Sequence, residues 1–199
     1  MYIEKKELRS LILDKKEIII RPLLDEAQIG ELSVDFRLGT DFLLSFQGRH
    51  SAIDASNYEN PEPSSSFFQE TRRLVGSTFL FHPMQTVLCS TLEYIKLPPN
   101  IFLSLSIRSS YSRLGFSIST IVQPGYSGCL SMELTNVNNT PVKITVGSRL
   151  VQARFYRINE NVDYYSSKRK YICQVRPEVS MANHDSESAI LKKIRDSNL

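Results

Sequence analysis

Between Leu103 and Asn136 the chain reads LSLSIRSSYSRLGFSISTIVQPGYSGCLSMELTN, two runs of polar–apolar alternation on either side of a turn. Leu103, Leu105 and Ile107 alternate with Ser104 and Ser106, and Leu130, Met132 and Leu134 alternate with Cys129, Ser131, Glu133 and Thr135. A period of two sends each set to its own face of a strand, so both runs predict half-buried strands. Gln123-Pro124-Gly125-Tyr126 predicts the turn, because proline presets φ and glycine admits φ > 0. The pattern recurs along the chain. Leu32, Val34, Phe36 and Leu38 alternate with Ser33, Asp35 and Arg37, where Asp35 and Arg37 read as a same-face pair. Further strands are predicted over residues 17 to 20, 86 to 91, 94 to 97, 142 to 146 and 150 to 158, with Pro22, Pro98-Pro99-Asn100 and Gly147 as punctuation. Short strands at this spacing predict an all-β barrel or sandwich. It is preceded by a short amphipathic helix over residues 4 to 15, whose Leu8, Leu11 and Ile12 share a face. Residues 48 to 73, rich in Pro and Ser, read as an irregular loop or insert.

The chain has 199 residues, enough for one domain with a real core, and no internal repeat or second domain is evident. A net charge of +3 is too small to argue for a nucleic-acid partner by bulk electrostatics. No apolar run reaches the roughly 20 residues of a membrane span. The opening MYIEKKELRS is charged where a signal peptide would be apolar, so the cytoplasm is the expected compartment. Cys89, Cys129 and Cys173 form no CxxC pair, which signals neither a disulfide framework nor a zinc site. His82, followed by Pro83, is assigned no role.

The chemistry-bearing residues of the central stretch are Arg108, Ser109, Ser110, Arg113 and Glu133. Singly each has an ordinary explanation: a surface charge, a turn hydroxyl, a strand carboxylate on a wet face. Together they match the needs of an anionic substrate with a hydrolysable centre. Arginine supplies planar, permanently charged donors for phosphate oxygens, serine hydroxyls add to them, and a carboxylate nearby can take a proton from water. Farther on, Tyr164 to Ser180 reads YYSSKRKYICQVRPEVS, a basic tract with interleaved tyrosines that suits either a surface loop or a cover for an anion.

RSSYSRLG, PGYSG and the strand containing MELTN resemble, in order, the nucleotide-binding core of the dCTP deaminase and dUTPase superfamily. The N-terminal helix, the SVDFRLG segment and HPMQTVLCSTLEYIKLPPN resemble the deaminase branch too, so that the likeness covers residues 1 to 180. It implies a distorted jelly-roll-like β-barrel (dUTPase-like), a homotrimer, and active sites built between subunits. It also implies zinc-independent hydrolytic deamination of dCTP to dUTP and ammonia. Glu133 would be the general base, with Ser109 and Arg113 orienting water and base. Arg108 and Ser110 would meet phosphate or groups of a neighbouring subunit, and Gln123 would face the sugar. Lys170, Tyr171, Gln174 and Ser180 match the segment that folds over the nucleotide, and Tyr164 is a further expected substrate-binding residue. Mg²⁺ would ride on the triphosphate oxygens; the zinc-deaminase signature HxE…PCxxC is missing, so no zinc is expected. Residues 181 to 199 extend past the family's usual end as a tail, with a capped helix predicted over 186 to 194.

The chain departs from the family pattern in four places. Gln123 stands where an acid is usual, so dUTP hydrolysis to dUMP is not expected. The segment between Arg113 and Pro124 is shorter than usual, leaving Ser119 to Val122 to line the base pocket. Cys173 and Arg176 replace glycines of the covering segment. These departures keep a second reading open: a catalytically impaired relative that binds nucleotides as a sensor or regulator.

Overall fold

The computed structural model of the chain describes residues 1–45, 64–118, 120–166, 169–182 and 188–197. Helix α1 (Lys5–Arg9) continues as a single π-helical stretch over Ser10–Asp14, and Leu8, Leu11 and Ile12 are buried from it, as their spacing predicts. The strands are β1 (Ile19–Arg21), β2 (Val34–Ser45), β3 (Phe68–Arg72), β4 (Thr78–Phe81), β5 (Thr86–Lys96), β6 (Ile101–Ile107), β7 (Phe116–Ser117), β8 (Thr120–Val122), β9 (Ser127–Asn136), β10 (Val142–Thr145) and β11 (Arg149–Arg157). One short helix, α2 (Ser109–Ser112), follows β6, and a terminal helix, α3, spans Ser188–Asp196. The terminal helix meets the sequence expectation, although its predicted first residues, 186 and 187, lie outside the described residues.

The main sheet runs β7-β9-β5-β2-β11-β6-β8, with β1 added on β5 and β3 on β2; β10 and β4 form a separate pair. The sheet curls into a half-barrel, so the fold is all-β dominated with a short N-terminal helix, as expected. The core holds Phe36, Phe42, Phe81, Phe155 and Leu103, each fully buried. Burying a side chain of this kind contributes roughly 1.5–3 kcal/mol. Phe42 stacks on Phe79 with centroids 4.0 Å apart, and Phe81 meets Phe116 edge-on at 5.0 Å, which ties the β4–β10 pair to the main sheet.

Three local expectations are corrected. The predicted strands over 86 to 91 and 94 to 97 are one strand, β5; a register shift between Ser90 and Tyr94 against β9 breaks the alternation that divides them in sequence. Part of the predicted loop, Phe68–Arg72, is a strand paired antiparallel with the end of β2, Asp41 opposite Arg72. That pairing depends on a partner nearly 30 positions away, which local composition cannot report; residues 46–63 of the same stretch lie outside the described residues. Finally, Asp35 and Arg37 share a face and the Arg37 charge acts on the Asp35 carboxyl, but the close partners of each lie elsewhere. Asp35 lies 3.3 Å from Arg108 Nε and 4.0 Å from Arg149 Nη1. Arg37 turns instead to Glu93, a carboxylate with no solvent exposure: its backbone N–H donates to Glu93 Oε2 at 2.9 Å and its Nε stands 3.9 Å from Oε1.

Candidate active site

Strand β9 separates core from cleft. Leu130, Met132 and Leu134 are buried, whereas Cys129, Ser131 and Thr135 are half-buried and Glu133 is exposed, the division that the alternation predicts. Glu133 lies opposite Leu88 of β5. Its carboxylate opens into a cleft of 640 Å³. Phe68 of β3 forms part of one wall, and Thr120, Ile121 and Val122 of β8 with Gln123 form another. The remaining wall is the segment after β11, which contributes Tyr164, Lys170, Tyr171, Gln174 and Ser180. Of the residues predicted to bind substrate, Gln123, Tyr164, Lys170, Tyr171 and Gln174 are therefore gathered around Glu133. Ser119, also expected near the base, lies outside the described residues.

The covering segment is held down by specific bonds. The Cys129 N–H donates to the Gln174 carbonyl at 2.7 Å, and Ser131 Oγ donates to Gln174 Oε1 at 2.8 Å. The approach is close enough to require glycine next door: a Cβ on Gly128 would stand 2.5 Å from the Gln174 carbonyl oxygen, a contact with backbone that a side chain cannot relieve. Tyr164 Oη donates to the Tyr171 carbonyl at 3.1 Å, and the Met181 N–H donates to Tyr171 Oη at 2.8 Å. Tyr126 packs edge-on to Tyr164 with centroids 6.0 Å apart and donates its own hydroxyl to the Cys129 carbonyl at 2.5 Å. Cys173 has φ 55°, a left-handed conformation that glycine adopts freely and that costs an L-residue about 1–2 kcal/mol.

Arg108, Ser109, Ser110 and Arg113 lie elsewhere. They occupy the end of β6 and helix α2, and none of them lines the cleft. Arg108 is engaged by Asp35 and by the Arg149 carbonyl, to which its Nη1 donates at 3.1 Å. Ser109, Ser110 and Arg113 are exposed. Within one chain, then, the structure brings Glu133 together with the covering segment and sets the Arg/Ser cluster apart.

The two nearby thiol and phenol groups are poor proton donors to chemistry here. Burial pushes the Cys129 thiol up, with Glu93 and Asp41 adding to the rise. Burial likewise raises the Tyr126 phenol, with Tyr164 and the two cysteines adding to it. Sequence reasoning missed three contributors. Arg169 and Glu178 also line the cleft, and Arg176 anchors the covering segment by approaching Asp41 Oδ1 and Glu70 Oε1, both at 3.9 Å. Arg169 was visible as the neighbour of Lys170 in the basic tract. Arg176 was visible only as a replaced glycine, because its partners lie on β2 and β3.

A family profile described as dCTP deaminase-like matches residues 2–158. The chain is 34% identical over 184 residues to a protein of Nanoarchaeum equitans named "dCTP deaminase, dUMP-forming", covering 86% of this chain and 92% of that one. A protein of Methanobrevibacter smithii with the same name is 32% identical over 182 residues, covering 88% and 92%. The "dCTP deaminase" of Haloarcula marismortui is 32% identical over 182 residues, again covering 88% and 92%. Among solved structures, the 2'-deoxycytidine 5'-triphosphate deaminase from Agrobacterium tumefaciens superposes with a TM-score of 0.58 at 22% identity, a likeness of fold. The match covers 77% of this chain and 46% of that one.

Proposed function

The chain belongs to the dCTP deaminase-like family, and on that footing we propose that it hydrolytically deaminates dCTP to dUTP and ammonia, with Glu133 as general base. The observation that carries this reading is the placement of Glu133. It is the carboxylate on the wet face of β9, opening into the cleft that Lys170, Tyr171 and Gln174 cover. Glu133 accepts a proton from water as the water oxygen bonds to C4 of cytosine. A proton then returns to the exocyclic nitrogen, the C4–N bond breaks and ammonia leaves, so that one water is consumed for each dUTP formed. No metal is required for this proton traffic. Mg²⁺ enters on the triphosphate, where it neutralises charge. In this reading phosphate oxygens and water are the ion's partners.

The reaction stops at dUTP in this reading, in contrast to the dUMP-forming activity named for two of the relatives. Gln123 occupies the cleft beside the covering segment, and an amide cannot accept the proton of a water attacking phosphorus. Arg108, Ser109, Ser110 and Arg113 act from a neighbouring subunit of a homotrimer, where Ser109 and Arg113 orient water and base. Support for this comes from their distance from the cleft of their own chain. Residues 1–180 form the catalytic unit and 181–199 a tail. Among the described residues no helix is long and apolar enough to cross a membrane.

Incubation of the purified protein with dCTP and Mg²⁺, with ammonia and pyrophosphate assayed separately, tests the reading. Ammonia without pyrophosphate is expected. Glu133→Gln keeps the shape of the side chain but cannot take the proton, and turnover should fall by roughly 10²–10⁴-fold. Nucleotide binding without ammonia release from the unmutated protein would favour the sensor reading, to which the Gln123 amide points.

A further inference from the structure

We propose that Arg169 is a polyphosphate-binding residue of the cleft, pre-oriented by Tyr164, and that it gives the cleft its preference for nucleoside triphosphates over nucleotides with fewer phosphates. The inference rests on the nucleotide reading of the same cleft and extends it to a residue outside the matched family motifs.

Electrostatic balance makes the case. Among the described residues of one chain, the cleft is lined by two cations, Arg169 and Lys170, and by two carboxylates, Glu133 and Glu178. A triphosphate brings several negative charges toward them, and Arg169 is one of the two groups in that set that can offset them. Without it a single cation of the same chain would face two carboxylates. Lys170 alone is a compact point charge on a flexible stem, whereas a guanidinium can grip two phosphate oxygens at once.

Geometry supplies the orientation. The Arg169 guanidinium carbon lies 4.6 Å from the centroid of the Tyr164 ring, a cation–π contact. Its Nε donates to the Tyr164 carbonyl at 3.2 Å, and among the described residues this is the one hydrogen bond of the side chain. Tyr164 is itself immobilised: it is buried, packs on Tyr126 and donates to the Tyr171 carbonyl. The face and the Nε edge of the guanidinium are thus taken by a rigid residue, and the Nη edge remains for an anion. Little side-chain freedom is lost when that anion arrives, which is the condition under which a half-buried charge contributes to affinity.

Calorimetry on the full chain with dCTP, dCMP, deoxycytidine and inorganic tripolyphosphate, for the unmutated protein, Arg169→Ala and Arg169→Lys, tests the proposal. Arg169→Ala should weaken dCTP and tripolyphosphate by a common factor of about ten or more, weaken dCMP less, and leave deoxycytidine unchanged. Arg169→Lys should recover only part of the loss, since it restores charge without the planar stack. Equal loss for deoxycytidine and dCTP would mean that the residue merely supports the fold of the cleft, and dCTP binding undiminished in Arg169→Ala would equally overturn the proposal. Arg169-dependent tripolyphosphate binding in a protein that ignores dCTP would preserve the role of Arg169 and remove the nucleotide reading; binding of neither by the unmutated protein would remove both.

Discussion

Ser131 Oγ donates to Gln174 Oε1 at 2.8 Å, joining the central strand of the site to the segment that covers it. The bond is sheltered, since Gln174 is only 6% exposed. Together with the backbone bond from Cys129 to the Gln174 carbonyl it makes residue 174 a short extra rung on β9. The chain's own bonds therefore dock the covering segment on β9.

Gly128 should be the least replaceable position beneath that dock. Gly128→Ala places a methyl against the Gln174 backbone, where only movement of the whole segment relieves the contact. A loss of about 1–3 kcal/mol in urea unfolding is expected, together with faster proteolysis after residue 164. A variant with unchanged stability and protection would show that the segment is not docked in solution.

Arg176 should hold the segment electrostatically. Its partner Asp41 is largely buried, and Asp41 Oδ1 has no hydrogen bond of its own. Arg176→Gly should raise the hydrogen-exchange rate of the Cys129 amide several-fold, and high salt should produce a similar change in the unmutated protein, because ion pairs near 3.9 Å are readily screened. Identical exchange in both proteins at low salt would dismiss the anchor.

Subunit sharing can be read by complementation. Glu133→Gln and Arg113→Ala should each be inactive alone. If the two residues meet across an interface, mixing and refolding the two variants together should restore some activity, because a fraction of sites then carries both native side chains. No recovery in hetero-oligomers verified by mass would place both residues in a single subunit's chemistry.

Glu93 gives the stability a pH dependence of defined sign. Burial raises its carboxyl above the ordinary range, only partly offset by the donors Arg37 N–H and Gln28 Nε2. The folded protein thus holds this proton to higher pH than the unfolded chain does. Stability from this group is fully present below the unfolded carboxyl value and is lost as pH rises through the elevated folded value. The stability of the unmutated protein relative to Glu93→Gln should accordingly decline as pH increases from the acid range toward neutrality in urea titrations. A difference that grows with pH would reverse the sign and show that the donors outweigh burial.

The parts of this molecule legible in sequence are those set by local periodicity. The two faces of β9, the alternation along β6 and along β2 from Val34 to Leu38, and the buried stripe of the N-terminal helix follow from spacing alone, whereas Leu32, expected on the apolar face, lies before the strand and is exposed. What escaped depends on partners distant in sequence. β3 is polar and short, and becomes a strand because β2 is there to pair with it. The Asp35 carboxylate pairs with Arg149 at the start of the adjacent β11 and with Arg108 just past the end of β6, two strands away, neither of which its own strand's spacing reports. Arg169 escaped for another reason: one cation in KRK looks like the next until Tyr164 fixes the orientation of one of them. The Arg/Ser cluster was legible as a motif, but its position relative to Glu133 was not, because spacing along a chain carries no information about which surfaces meet between chains.

The alternation of β9 also constrains how such a protein can change. Because core residues and cleft residues interleave one by one, inserting or deleting a single residue between Cys129 and Thr135 would turn Glu133 inward and bring Leu134 or Met132 out. Substitutions at the half-buried positions beside Glu133 keep the two faces apart, whereas a change of length by one exchanges them. Comparable chains should therefore accumulate their insertions in the turns at either end of β9, and any that carries an odd-numbered change within it should have lost its core and its carboxylate together.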